Sequence, residues 1–119
     1  MKDIECVDHN ELEQFMEQGA KVVDIRTDME WKNTGIIDKS HRLTFFDRFG
    51  NYDMHSWLAN FEKIVSDKSE SFVLVCAHAN RTKILGSFLR DKLGYKNVFE
   101  LCGGIELGWI ARGKMTKDV

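Results

Sequence analysis

Residues 72–94 read Phe72-Val73-Leu74-Val75-Cys76-Ala77-His78-Ala79-Asn80-Arg81-Thr82-Lys83-Ile84-Leu85-Gly86-Ser87-Phe88-Leu89-Arg90-Asp91-Lys92-Leu93-Gly94, and their hydrophobic period changes partway along. The run Phe72–Val75 is short, apolar and β-branched, and polar residues precede it, which predicts a buried strand. Beyond Ala79, Ile84, Leu85, Phe88, Leu89 and Leu93 recur at helical spacing, and Gly94 stands where a helix C-terminal glycine belongs. Cys76 therefore lies in a tight connection between a strand's carboxyl end and a helix N-terminus beginning near Asn80 or Arg81. Free backbone N–H groups and the helix dipole favour an anion at such a place. A thiolate is that kind of anion, so Cys76 is the candidate nucleophile.

Working outward, residues 4–7, Val22–Ile25, His41–Phe46 and Val98–Leu101 predict four more strands. Asn10, with Glu13 three residues on, has the form of a helix cap before Phe15 and Met16, and Asp28 can cap a turn containing Glu30 and Trp31. Asp53–Val65 reads as an amphipathic helix with Trp57, Leu58, Phe61, Ile64 and Val65 inward. Phe45, Phe46 and Phe49 are expected to pack over the core. After Cys102-Gly103-Gly104 a short helix carries Ile105, Leu107 and Trp109. Strands alternating with helices predict an α/β fold: an open, mainly parallel sheet of five strands with helices on both faces. Ligand sites in such sheets lie beyond the carboxyl ends of the strands, the edge to which Arg26, Cys76 and Cys102 belong.

A chain of 119 residues is expected to form one domain, spanning residues 1–119, with a core that needs no staples. A formal net charge of −2 offers no electrostatic case for nucleic acid or an anionic membrane. No apolar run is long enough to span a bilayer, and the first residues lack the apolar stretch of a signal peptide, so a cytoplasmic location is expected. Cys6, Cys76 and Cys102 are far apart and lack a Cys-x-x-Cys arrangement or an accompanying His pair, which argues against zinc. In a reducing compartment all three are expected to be thiols.

Four residues separate Cys76 from Arg81, one fewer than in a cysteine-dependent phosphatase loop, so the loop makes a narrower cradle, better matched to sulfur than to a phosphoryl group. Here the chain resembles the rhodanese-like, single-domain sulfurtransferase family over nearly its whole length. The matching segments are Val22-Val23-Asp24-Ile25-Arg26 with Glu30-Trp31 and Gly35-Ile36, and the loop Cys76-Ala77-His78-Ala79-Asn80-Arg81 followed by Thr82. Val98-Phe99-Glu100-Leu101-Cys102-Gly103-Gly104-Ile105 is the third, with Trp109 and Gly113. The resemblance implies a sulfur relay without a cofactor or metal. The Cys76 thiolate takes the outer sulfur of a small donor such as thiosulfate or a persulfide and holds it as a persulfide. It then yields that sulfur to cyanide or a protein thiol. Two loop positions depart from the family pattern: Ala77 replaces the usual arginine and Ala79 the usual glycine. Gly35-Ile36-Ile37 stands where a Gly-His-Ile segment is usual, so the histidine of that segment is missing. The lost arginine lowers the expected affinity for anionic thiosulfate, and an alanine disfavours positive φ at position 79.

Roles for the remaining residues follow from their chemistry. Asp24 and Arg26 read as a structural pair near the sheet edge, and Arg81 as a residue that orients the loop through a carboxylate. His78 reads as a solvated loop residue that restores some positive charge when protonated. Cys102 falls at the same sheet edge as Cys76. It is either a packed thiol or a thiol that resolves oxidised Cys76 as a disulfide. The departures at Ala77 and Ala79 leave a second functional class open, a catalytically silent module used for protein binding or redox sensing.

Overall fold

A computed structural model describes residues 2–119. Its elements run β1 (Glu5–Val7), α1 (His9–Glu17), β2 (Lys21–Asp24), α2 (Asp28–Thr34), β3 (His41–Arg42) and α3 (Met54–Ile64). They continue with β4 (Ser71–Val75), α4 (Arg81–Asp91), β5 (Asn97–Leu101), α5 (Gly104–Gly108) and a 3-10 turn over Ile110–Arg112. The five strands form one sheet in the order β1-β5-β4-β2-β3, and every pair is parallel. The α/β architecture read from the sequence is thus the observed one.

The strand carrying Cys76 is the middle one, and alternation along it sorts the core into two layers. Phe72, Leu74 and Cys76 join a cluster with Trp57 and Phe61 of α3 and Leu85 and Leu89 of α4. Val73 and Val75 join the opposite cluster with Leu12 of α1, Ile105 of α5 and Trp109. A strand covered on both faces has no solvent side, which is why its sequence is an unbroken apolar run. Gly86 lets α4 cross the sheet closely: a Cβ there would come within 2.3 Å of Ile4 Cδ1.

Helix starts differ from expectation by one or two residues. Asp8, not Asn10, caps α1 in a reciprocal box with Glu11, and Thr27, not Asp28, caps α2 in the same way with Glu30. The third strand is shorter than expected. It stops at Arg42, after which Leu43 N–H donates to Asp24 O and Phe45 N–H to Ile25 O. Phe45 is buried as expected, whereas Phe49 is 72% exposed. Ile84, placed on the helix pattern of the core face, is 65% exposed.

The cysteine expectation needs a larger correction. Cys6 and Cys102 are joined in a disulfide across a sequence separation of 96 residues, and Cys76 alone is a free thiol. Cys102 therefore has its sulfur committed to the edge strand and does not stand as a free resolving thiol for Cys76. The bond ties β1, a strand of three residues at the sheet edge, to its neighbour β5. A cross-link over so long a loop removes much entropy from the unfolded chain. Reduction, or Cys6→Ser, is expected to lower unfolding stability by about 2–4 kcal/mol in urea titration. Superimposable curves would show that the cross-link carries no stability.

Candidate active site

Cys76 follows the last residue of β4 and is 1% exposed. The chain then curls through Ala77 to Asn80 before α4 begins at Arg81. The N–H groups of His78, Ala79, Asn80 and Arg81 have no hydrogen-bond acceptor among the described residues, and Asn80 makes no side-chain cap to α4. Ala79 is buried and Arg81 half-buried, and a run of amides without acceptors is suited to hold an anion. Next to them lies the sulfur atom.

Three contacts hold the loop in this shape. From α5, Ile105 N–H donates to Cys76 O at 2.9 Å and Glu106 N–H to Ala77 O at 3.2 Å. The backbone of Gly104 lies so close to the loop that a Cβ would be 2.3 Å from Ala77 O and 2.6 Å from His78 N. This explains the Gly103-Gly104 turn: the last segment of the chain is the wall against which the loop is pressed. The third contact is Arg81. Its Nη1 and Nη2 each donate at 2.8 Å to the two carboxylate oxygens of Glu30, a bidentate pair that joins α4 to α2.

Burial pushes the Glu30 carboxyl up, but the paired bonds from Arg81 and the Thr27 N–H outweigh it and hold the pKa at about 2. In turn the Glu30 bonds raise the pKa of Arg81, against the opposing effect of burial. Arg81 thus meets a carboxylate, the kind of partner expected for it from the sequence. The negative charge of Glu30 also absorbs much of the arginine's field.

Arg26 is turned elsewhere. Its Nε and Nη2 donate to the Asp24 carboxylate, Nη1 donates to Thr34 Oγ1 at 2.7 Å, and Nη2 also donates to Gly35 O at 3.0 Å. Every guanidinium nitrogen is occupied, and the buried pair fastens β2 to the end of α2. That is the structural pairing expected for Asp24 and Arg26. His78 is exposed, and its Nε2 lies 3.4 Å from Glu106 Oε2, so any charge it carries is shared with a carboxylate.

Sequence reasoning missed the side chains behind the sulfur. Thr82 Oγ1 is 3.5 Å from Cys76 Sγ and donates at 2.6 Å to Oε1 of Glu100, which is 0% exposed. Lys83 Nζ donates at 2.7 Å to Glu100 Oε2. The available signal was a carboxylate inside the apolar run Val98-Phe99-Glu100-Leu101, because a charge placed in a buried strand needs a partner. No group of His, Cys, Asp and Glu suited to a metal ion occurs among the described residues.

Ala79 has φ 64°, in the left-handed region that costs an L-residue about 1–2 kcal/mol. Ala79→Gly removes that strain at the cost of a more flexible unfolded chain. It is expected to raise stability by about 0.5–1 kcal/mol in chemical denaturation, and a loss would contradict the strain. The Glu30 carboxyl, lowered from 4.5 to about 2, contributes stability that is present above pH 4.5 and lost as pH falls toward 2. Acid titration of Glu30→Gln should therefore show a shallower decline across that window than the parent chain. Parallel profiles would disprove the linkage.

Comparison with known proteins agrees with this fold. The family model described as "Rhodanese-like domain" matches residues 8–111. An uncharacterized protein of Rickettsia conorii is 32% identical over 90 residues, covering 73% of this chain and 70% of the relative. The thiosulfate sulfurtransferase GlpE of Pseudomonas syringae is 27% identical over 107 residues, covering 90% and 89%. Among solved structures, the polysulfide-sulfur transferase homodimer of Wolinella succinogenes superposes with a TM-score of 0.73 at 19% identity, covering 98% of this chain and 80% of that one. Both the matched length and the fold lead to one assignment: the chain belongs to the rhodanese-like domain family.

Proposed function

We propose that the protein is a sulfurtransferase that carries sulfane sulfur as a persulfide on Cys76. The observation that carries this reading is the buried thiol beside a row of backbone N–H groups that have no acceptor among the described residues. A thiolate is both the nucleophile and the form those amides favour. It attacks the outer sulfur of a donor such as thiosulfate, and the donor's own S–S bond breaks. Sulfite or a thiolate then leaves with the electron pair. The terminal sulfur of the new persulfide carries the negative charge into the cradle of Ala77, His78, Ala79, Asn80 and Arg81. A nucleophilic acceptor, cyanide or a protein thiol, takes that sulfur and returns Cys76 to its resting state.

Loop size supports sulfur over phosphate, and the activity for which the GlpE relative is named supports the class of reaction. With Ala77 in the loop and Arg81 neutralised by Glu30, little fixed charge draws in a doubly charged donor, which favours persulfide or polysulfide donors over thiosulfate.

Intact mass after exposure to thiosulfate or polysulfide provides the test. A gain of one sulfur that dithiothreitol removes is expected for the parent chain and is expected to be absent in Cys76→Ser. No gain with either donor, together with equal and negligible thiosulfate:cyanide rates for parent and variant, would support the silent binding or redox-sensing module that Ala77 and Ala79 permit. Hydrolysis of a phosphotyrosine substrate would instead favour the phosphatase alternative.

A further inference from the structure

A buried carboxylate stands two hydrogen bonds behind the nucleophile. Cys76 and Glu100 are both almost completely shielded from solvent, and Thr82 bridges them with a single hydroxyl. That hydroxyl has one proton, which it donates to Glu100 Oε1 at 2.6 Å. It can therefore present only a lone pair to Cys76, an arrangement that suits a thiol S–H and not a thiolate. When the sulfur is negative, Thr82 has to turn its proton toward it, and Glu100 Oε1 loses its donor while Oε2 keeps Lys83, a loss that a proton on Oε1 makes good. Sheet register makes the alignment permanent. Leu74 of β4 pairs with Glu100 of β5, which brings the carboxylate beside the strand that ends at Cys76, under the first turn of α4.

The surrounding charges do not remove this conflict. From α4, Lys83 pairs with Oε2 of Glu100, while Arg81 is held by Glu30 of α2. Asp24 of β2 is paired with Arg26. From the loop and α5, His78 and Glu106 face each other in solvent. From β1, the register partner of Glu100 is Cys6, whose sulfur is bonded to Cys102 and does not titrate. Lys83 balances one negative charge. A second, on the sulfur, has the loop amides and an arginine, Arg81, already paired with Glu30.

We propose that Glu100 is a proton store for Cys76: it accepts the thiol proton through Thr82 as sulfur is loaded and returns it as sulfur leaves. This rests on the persulfide-carrier reading above. In the loading step the Cys76 proton passes to Thr82 Oγ1 while the Thr82 proton passes to Glu100 Oε1. The freed thiolate attacks the sulfane sulfur of a persulfide or thiosulfate donor. A Cys76–sulfur bond forms, the donor S–S bond breaks, and the leaving thiolate or sulfite keeps the electron pair. A thiol with a carboxylate has become a persulfide anion with a carboxylic acid, so the buried site holds one negative charge throughout. In discharge, the acceptor thiolate takes the outer sulfur, and the proton returns from Glu100 to Cys76 by the same path. Glu100 touches no substrate; it is a positioning residue that acts through Thr82.

Native alkylation by iodoacetamide reads Cys76 alone, because the other two cysteines are bonded to each other. Its pH profile is expected to have a midpoint about one unit lower in Glu100→Gln than in the parent, a roughly tenfold faster reaction on the rising limb. Glu100→Asp, which keeps the charge, should stay close to the parent. Infrared difference spectra on sulfur loading should show the C=O stretch of a newly protonated carboxyl in the parent and none in Glu100→Gln. Coincident alkylation midpoints would overturn the proposal. So would the absence of that band from parent protein whose mass shows sulfur loaded, a measurement that needs no variant to fold. If the parent fails to load sulfur at all, the functional reading falls, while the alkylation midpoints still decide the coupling of Glu100 to Cys76.

Discussion

The chain between Cys76 and Arg81 must curl with its N–H groups free, and much of the rest of the molecule exists to hold that curl. A run of amides without acceptors is unfavourable for the peptide alone, since each group gives up a carbonyl partner. The compensation comes from outside the loop. Two amides of α5 satisfy the carbonyls of Cys76 and Ala77, Gly104 presses against the same peptide units, and Arg81 is anchored 51 positions away in sequence at Glu30. Ala79 takes up the left-handed turn that results.

Each of these supports comes from a different element, and the parallel sheet delivers them to one edge. Strand β4 lies at the centre of the sheet, with β5 on one side and β2 on the other. The segments following β4, β5 and β2 supply respectively the loop, the glycine wall and the helix bearing Glu30. The buried Asp24–Arg26 pair holds the end of that helix to the sheet, so an ion pair with no access to the sulfur still fixes the carboxylate that Arg81 needs.

Much of this was legible in the sequence, for physical reasons that also mark where reading stops. A strand buried on both faces must be apolar throughout, so Phe72–Val75 and Val22–Ile25 announce themselves. Caps are less well specified. Asp8 with Glu11 and Asn10 with Glu13 offer the same pattern two residues apart, and only the docking of α1 selects between them. Ile84 satisfies helical spacing yet lies outward, because a helix covering one side of a sheet has a narrower buried stripe than its apolar residues suggest. The Arg81–Glu30 and Cys6–Cys102 partnerships were out of reach. Neither leaves a periodic trace, and each depends on which strand the fold sets beside which. Glu100 is the intermediate case: a charge inside a strand signals a buried partner without naming it.

The Cys6–Cys102 bond also alters what a broken chain would be. It closes a covalent ring that takes in β2, β4, the loop and all of β5, leaving only the first few residues and the last segment outside. A single peptide cleavage inside the ring, for instance in the exposed turn at Phe49-Gly50, opens it without separating the two pieces. Glu30 and Arg81, on opposite sides of that cut, would stay on one connected molecule, and the fragments would part only when the sulfur bridge is reduced as well.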